Sequence, residues 1–158
     1  MNQSNYSGCL MLYLNIPNYS KLIDKIITNK QDIIEIEPNP HITILYGLST
    51  QTNINSLKRY INNYRNVNDI TTDRIDYFQS GNNDVLKFKI NGNSLYELNR
   101  IIKFNFDNEN NYPLFVPHLT IAYLKLGSAE KYIKRFKKEF KLNPKYFVYS
   151  INGKLIKL

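Results

Sequence analysis

The chain has two histidines, and both stand in the same short phrase: Pro40-His41-Ile42-Thr43-Ile44-Leu45-Tyr46 and Pro117-His118-Leu119-Thr120-Ile121-Ala122-Tyr123. Proline, threonine and tyrosine are each only a few per cent of residues in ordinary proteins, so the shared neighbours point to a duplicated unit rather than coincidence. A repeated His-aliphatic-Thr supplies two imidazoles and two hydroxyls. One imidazole can take a proton while the other gives one, and the hydroxyls can hold oxygens on which charge grows in a transition state. That set suits a phosphodiester better than any other common ligand. His41, Thr43, His118 and Thr120 are therefore the candidate catalytic residues.

The elements that position them follow from strand periodicity. Regular alternation places His41, Thr43 and Leu45 on one face and Ile42, Ile44 and Tyr46 on the other; it likewise separates His118, Thr120 and Ala122 from Leu119, Ile121 and Tyr123. Tyr46 and Tyr123 are thus expected to pack opposite the histidines. The prolines suit strand starts, where a missing N–H is tolerated. In the run Cys9 to Ile16, Leu10, Leu12 and Leu14 share one face and leave Met11, Tyr13 and Asn15 on the other; in Val85 to Ile90, Lys87 and Lys89 are left in the same way. Tyr13 is a candidate substrate-binding residue that could stack on a base, and a lysine could neutralise a phosphate.

The two motifs resemble the signature of the two-histidine (2H) phosphoesterase superfamily, which carries two His-x-Thr/Ser motifs on two lobes. The resemblance spans most of the chain. It implies an α+β, two-lobed, pseudo-symmetric 2H phosphoesterase (LigT-like) fold with antiparallel sheets and flanking helices. Superfamily members include RNA 2',5'-ligase-like proteins, RNA-end cyclic phosphodiesterases, viral 2',5'-oligoadenylate phosphodiesterases and phage anti-CBASS hydrolases of cyclic di- and trinucleotides. The fuller phrase PHITILYGL, with Gly47 after the tyrosine, is most similar to the anti-CBASS branch. That likeness implies a metal-independent phosphodiesterase of cyclic oligonucleotide second messengers that silences bacterial antiviral defence. The alternatives are an RNA-end 2',3'-cyclic or 2',5'-oligonucleotide phosphodiesterase, or an RNA-binding module without turnover; binding alone needs no paired histidines, which disfavours the last.

The rest of the chain repeats with the motifs. The strand Cys9 to Ile16, a helix from Tyr19 to Thr28 and the His41 strand are matched by the strand Val85 to Ile90, a helix from Ser94 to Phe106 and the His118 strand. After each motif come another helix and strand: Asn55 to Tyr64 then Ile70 to Phe78, and Ser128 to Phe140 then Tyr146 to Ile156. One domain, residues 1–158, is expected, with lobes of roughly 1–80 and 81–158. Gly81-Asn82-Asn83-Asp84 marks a turn between the halves, Asp107 to Asn111 a polar loop, and Asn152-Gly153 a two-residue hairpin whose central positions need positive φ.

At 158 residues and 42% hydrophobic the chain can bury a sizeable core. No run approaches the roughly 20 apolar residues that span a bilayer, and no basic region precedes a long apolar stretch, so a cytoplasmic protein is expected, in the host cytoplasm if viral. The abundance of Asn, Ile, Lys and Tyr fits the AT-rich genome of a phage or virus. A single cysteine, Cys9, allows no internal disulfide and reads as a packed hydrophobe. Without a Cys cluster or His-x-x-x-His spacing, neither a metal nor a cofactor is expected. The net charge of +8 implies polyanionic partners: a cyclic oligonucleotide or short RNA-like phosphodiester, with no membrane and no protein partner implied. Lys131, Lys134, Arg135, Lys137, Lys138 and Lys141 crowd the last expected helix, either as a solvated face or as a nucleic-acid patch.

Overall fold

The protein is described by a computed structural model covering residues 5–136 and 138–158. Among the described residues eight strands form one sheet. They are β1 (Gly8–Asn15), β2 (Ile33–Ile36), β3 (His41–Leu48), β4 (Thr71–Ser80), β5 (Asn83–Asn91), β6 (His118–Lys125), β7 (Asn143–Ile151) and β8 (Lys154–Lys157). The helices are α1 (Tyr19–Ile26), α2 (Ile54–Ile61) and α3 (Asn93–Asn105). The strand order is β4-β5-β6-β3-β1-β7-β8, with β2 pairing beside β6, and all pairings are antiparallel.

The duplicated phrases lie side by side at the middle of this order. β3 and β6 meet through the single pair Ile42–Leu119 and then diverge. Each has its sister strand on the outer flank, β1 on β3 and β5 on β6. The correspondence extends to the prolines: Leu14 N–H donates to the Pro40 carbonyl and Ile90 N–H to the Pro117 carbonyl, at 2.9 and 3.1 Å. The halves 1–80 and 81–158 do not coincide with the halves of the sheet. β7 lies beside β1, and β4 lies beside β5, to which the turn at Gly81, with φ +57, joins it as a hairpin.

The greasy face of both halves is buried by the helices. Leu10, Leu12, Ile42, Ile44, Leu86, Phe88, Leu119 and Ile121 join Ile23 and Ile26 of α1, Leu57 and Ile61 of α2, and Leu95, Leu98 and Ile102 of α3. Each helical set is spaced three or four residues apart, which makes one apolar stripe per helix. The Asn152-Gly153 hairpin is present, with φ of 49° and 76°.

The helix expected over Ser128 to Phe140 does not form. The described residues there make a 3₁₀ turn, Glu130–Tyr132, followed by turns and irregular backbone. Like charges at Lys131, Lys134, Arg135 and Lys138 fall three and four apart, where a helix would bring them together. Tertiary bonds take the segment instead. Ala129 N–H donates to the buried Asp84 carboxylate at 3.0 Å, and Phe140 N–H donates to the Thr72 hydroxyl at 3.0 Å. Phe136 and Phe140 meet the Phe88 ring edge-on, at 5.6 Å each. Lys131 pairs with Asp32 at 2.6 Å, and Arg135 donates to the Thr28 hydroxyl. Phe88 alternates with Lys87 along β5, so Phe136 and Phe140 pack on the sheet face away from the histidines. Lys137 lies outside the described residues.

Candidate active site

One extra residue in each motif strand sets the site's geometry. Along β1 and β3, Met11 pairs with Thr43 but Leu10 pairs with Leu45, leaving Ile44 as a bulge. Along β5 and β6, Lys87 pairs with Thr120 but Leu86 pairs with Ala122, leaving Ile121 as the same bulge. A bulge reverses the alternation beyond it. Leu45 and Ala122, expected beside the histidines, are therefore buried at 1% and 0% exposure. Tyr46 and Tyr123, expected on the opposite face, come round to the histidine side: their partners Cys9 and Val85 share a face with Met11 and Lys87, and opposed residues in a ladder point the same way.

A bulge also leaves a carbonyl without its ladder partner, which is costly if buried. The two copies solve this differently. The Ile44 carbonyl accepts from the Asn99 side-chain amide of α3 at 2.7 Å, whereas the Ile121 carbonyl accepts from the Glu37 backbone N–H at 3.0 Å. Beyond the first bulge the polar loop after Asp107 runs along β3. Glu109 N–H donates to the Gly47 carbonyl at 2.8 Å, and the Asn110 amide to the Tyr46 carbonyl at 3.0 Å. Gly47 is needed here: its φ is +88°, and a Cβ would lie 2.7 Å from the Glu109 carbonyl oxygen. Gly47→Ala should cost about 1–3 kcal/mol of stability, read from denaturant unfolding. An unchanged midpoint would show that the loop yields without strain.

Both imidazoles are held alike. His41 Nδ1 lies 2.8 Å from the Asn39 carbonyl and His118 Nδ1 lies 3.0 Å from the Val116 carbonyl. A carbonyl only accepts, so each Nδ1 carries a proton and each neutral ring presents an unprotonated Nε2. The antiparallel register at Ile42–Leu119 puts Thr43 across from His118 and Thr120 across from His41. Each histidine thus stands across from the threonine of the other motif.

The surroundings of the two rings differ. Tyr13 stands opposite His41 and stacks on it at 5.5 Å and 26°, and its other neighbour is Tyr146, also at 5.5 Å. Glu37 Oε1 is 4.0 Å from His41 Nδ1. Around His118 stand Phe78, edge-on at 6.2 Å, and the buried Lys87, whose Nζ is 3.6 Å from the Asp76 carboxylate and 5.9 Å from the Phe78 ring centre. Burial lowers the His118 pKa below the ordinary imidazole value, helped by the charges of Lys87 and His41 and opposed by the Val116 carbonyl bond. Its neutral form therefore persists to lower pH than that of a free imidazole.

A cleft of about 630 Å³ opens beside His118 and Thr43. Lys87 and Asn99 lie on its polar side, and Tyr46, Phe78, Tyr112 and Leu114 make an apolar wall. His41, Thr120 and Tyr13 lie outside this enclosed part. Cys9 borders the cleft, but burial pushes its thiol up to about 11, only partly offset by a hydrogen bond with Thr43, so it stays a thiol at neutral pH. Among the described residues no group of three or more His, Cys, Asp or Glu side chains could hold a metal ion. No helix among them is long and apolar enough to cross a membrane. Of the residues about the cleft and the rings, Lys87 is legible in the sequence, whereas Tyr46, Phe78, Asn99 and Glu37 are not. Tyr46 was hidden by the bulge, and the other three are brought in by contacts between distant segments.

The sheet and the paired motif define a two-histidine phosphoesterase. The chain belongs to the 2'-5' RNA ligase superfamily, whose family model matches residues 23–146. Its fold is similar to that of Kluyveromyces marxianus Usb1 solved with uridine monophosphate (TM-score 0.62, 10% identity, 98% of each chain). It is also similar to Escherichia coli LigT complexed with 3'-AMP, at TM-score 0.57 and 14% identity, over 95% of this chain and 93% of that one. Thermus thermophilus TT0787 gives TM-score 0.54 and 14% identity over the same shares. Among curated protein sequences, none matches.

Proposed function

We propose that the protein is a metal-independent phosphodiesterase that cleaves a small ribonucleotide phosphodiester, with His41 and His118 moving the protons and Thr43 and Thr120 holding the non-bridging oxygens. The observation that carries this reading is the matched pair of rings, each fixed through Nδ1 and each across from the other motif's threonine. On a 3',5'-linkage one imidazole deprotonates the 2'-hydroxyl, which attacks phosphorus, and the other protonates the departing 5'-oxygen. A 2',3'-cyclic phosphate uses the same groups, with water in place of the hydroxyl.

The substrate we favour is a cyclic di- or trinucleotide messenger of bacterial CBASS defence, which the enzyme would destroy in the host cytoplasm on behalf of a phage. The PHITILYGL phrase supports this reading, as do aromatic surfaces on both sides of the histidine pair. Tyr46, Phe78 and Tyr112 offer one surface for a base, and the row of rings His41, Tyr13 and Tyr146 lines the other side. A phosphodiester across the centre would then carry a nucleoside toward each. The second reading, an RNA-end or 2',5'-oligonucleotide phosphodiesterase, is favoured by the mononucleotides bound to Usb1 and LigT.

The test is incubation of the pure protein, with and without EDTA, with cyclic dinucleotides, cyclic trinucleotides, 2',3'-cyclic mononucleotides and 2',5'-oligoadenylate, with products read by mass. Opening of a cyclic oligonucleotide, undiminished by EDTA, is expected. Cleavage confined to 2',3'-cyclic ends or 2',5'-linkages would transfer the assignment to the second reading. Activity abolished by EDTA and restored by one divalent ion would overturn the metal-free chemistry, and tight binding without turnover would leave an RNA-binding module.

A further inference from the structure

The two copies of the motif are alike in backbone and unlike in charge. At the position where β5 carries Lys87, opposite Thr120, β1 carries Met11, opposite Thr43. The only carboxylate among the described residues within ion-pair distance of either imidazole is that of Glu37, on the His41 side. It comes from neither motif strand. β2 pairs with β6, and the Ile121 bulge carbonyl takes the Glu37 N–H, so the second motif's irregularity delivers a carboxylate to the first motif's histidine.

Glu37 is held in place from both ends. Its backbone is fixed by Ile121, and its Oε1 accepts from Asn39 N–H at 3.1 Å; the carbonyl of that same Asn39 accepts from His41 Nδ1. Its side chain is 17% exposed, so its field on the ring is only partly screened by water. The other groups about His41 are the Tyr13 ring stacked on it and the His118 imidazole across the strand pair, whose pKa the His41 charge helps to lower. The Tyr13 hydroxyl is raised above its ordinary value by burial and then by Glu37, so it stays neutral. The tyrosine hydroxyls that feel Glu37 besides Tyr13 are Tyr19 and Tyr123, both raised, by burial first, and neutral likewise.

We propose that Glu37 is a positioning residue for the reaction: its carboxylate orients the His41 ring and favours an imidazolium there, so that His41 gives the proton and His118, beside Lys87, takes one. This rests on the phosphodiesterase reading above. In the forward step His118 Nε2 takes the 2'-hydroxyl proton, the O2'–P bond forms, the P–O5' bond breaks, and His41 Nε2–H passes its proton to O5'. The rings end with their protonation states exchanged, which is the state needed to reverse roles when water opens the 2',3'-cyclic phosphate. The assignment gives the site a polarity. The nucleoside bearing the 2'-hydroxyl lies over the cleft beside His118, and the departing 5'-nucleoside lies toward Tyr13.

Glu37→Gln tests this, because the amide oxygen still accepts from Asn39 N–H while the charge is gone. The histidine ring protons of the free protein would be followed by NMR against pH, together with the pH–rate profile on whichever substrate of the panel is cleaved. Glu37→Gln should move the His41 titration to lower pH, leave that of His118 in place, and bring the alkaline limb of kcat down by roughly half a pH unit or more. Glu37→Asp, which keeps the charge but withdraws it by one methylene, should fall between. If the Glu37→Gln curves superimpose on wild type, or if His118 moves instead of His41, the proposal is wrong. The ring titrations need no substrate. A panel without cleavage alongside a shifted His41 would therefore overturn the phosphodiesterase reading and still support the electrostatic role of Glu37.

Discussion

His41→Ala and His118→Ala should each lower turnover of the cleaved phosphodiester by about 10²-fold or more, with the fold intact. Neither ring is part of the hydrophobic core, and each spends its Nδ1 on a carbonyl two residues earlier, so its removal leaves that carbonyl near solvent rather than orphaned in the interior. The loss should appear in kcat more than in KM, because proton transfer is made in the transition state and not in the bound substrate. The double variant should be barely worse than either single one, since a base without its acid partner has little left to contribute. Thr43→Ala and Thr120→Ala should cost less. A folded single-histidine variant with near wild-type turnover, checked by far-UV circular dichroism and thermal unfolding, would remove the histidine pair from the chemistry.

The second large effect is expected from the substrate. If the 2'-hydroxyl is the nucleophile, a 3',5'-linked cyclic di- or trinucleotide should open into a linear product ending in a 2',3'-cyclic phosphate or the phosphate derived from it. The 2'-deoxy analogue should bind and stay whole. A tethered hydroxyl gains the proximity advantage of an intramolecular reactant, which reaches effective molarities on the order of 10⁵ M and above, and water cannot replace it in the same geometry. Competition by the deoxy analogue against the cleaved ribonucleotide reports binding, and mass spectrometry reports its integrity. Brisk cleavage of the deoxy analogue would mean direct attack by water, with one imidazole activating it.

The residues that can do chemistry were legible in the sequence because the signal is local and repeated. A histidine two residues before a threonine, twice, on apolar strands that begin at proline, fixes which side chains share a face near the ring whatever the rest of the chain does. Helices α1, α2 and α3 were legible through their apolar spacing, and the closing hairpin through Asn152-Gly153. The segment from Ser128 misled for a related reason. Its apolar residues keep helical spacing, but bonds to Asp84 and Thr72 and packing on Phe88 hold it in another shape, and those partners lie about 45 to 70 residues away.

What the sequence by itself determined is the pair of histidines, their threonines and most of the strands and helices around them. Only the tertiary structure decided where the chain departs from strict alternation, and therefore what else faces the histidines. The Ile44 and Ile121 bulges turn Tyr46 and Tyr123 to the histidine side and bury Leu45 and Ala122. They also free two carbonyls, and the donors that answer them, Asn99 from α3 and Glu37 from the end of β2, bring in residues that no periodicity connects to the motifs. A bulge is one unpaired residue in a ladder between segments far apart in the chain, so its position is set by the register of the whole sheet and not by the residues that flank it.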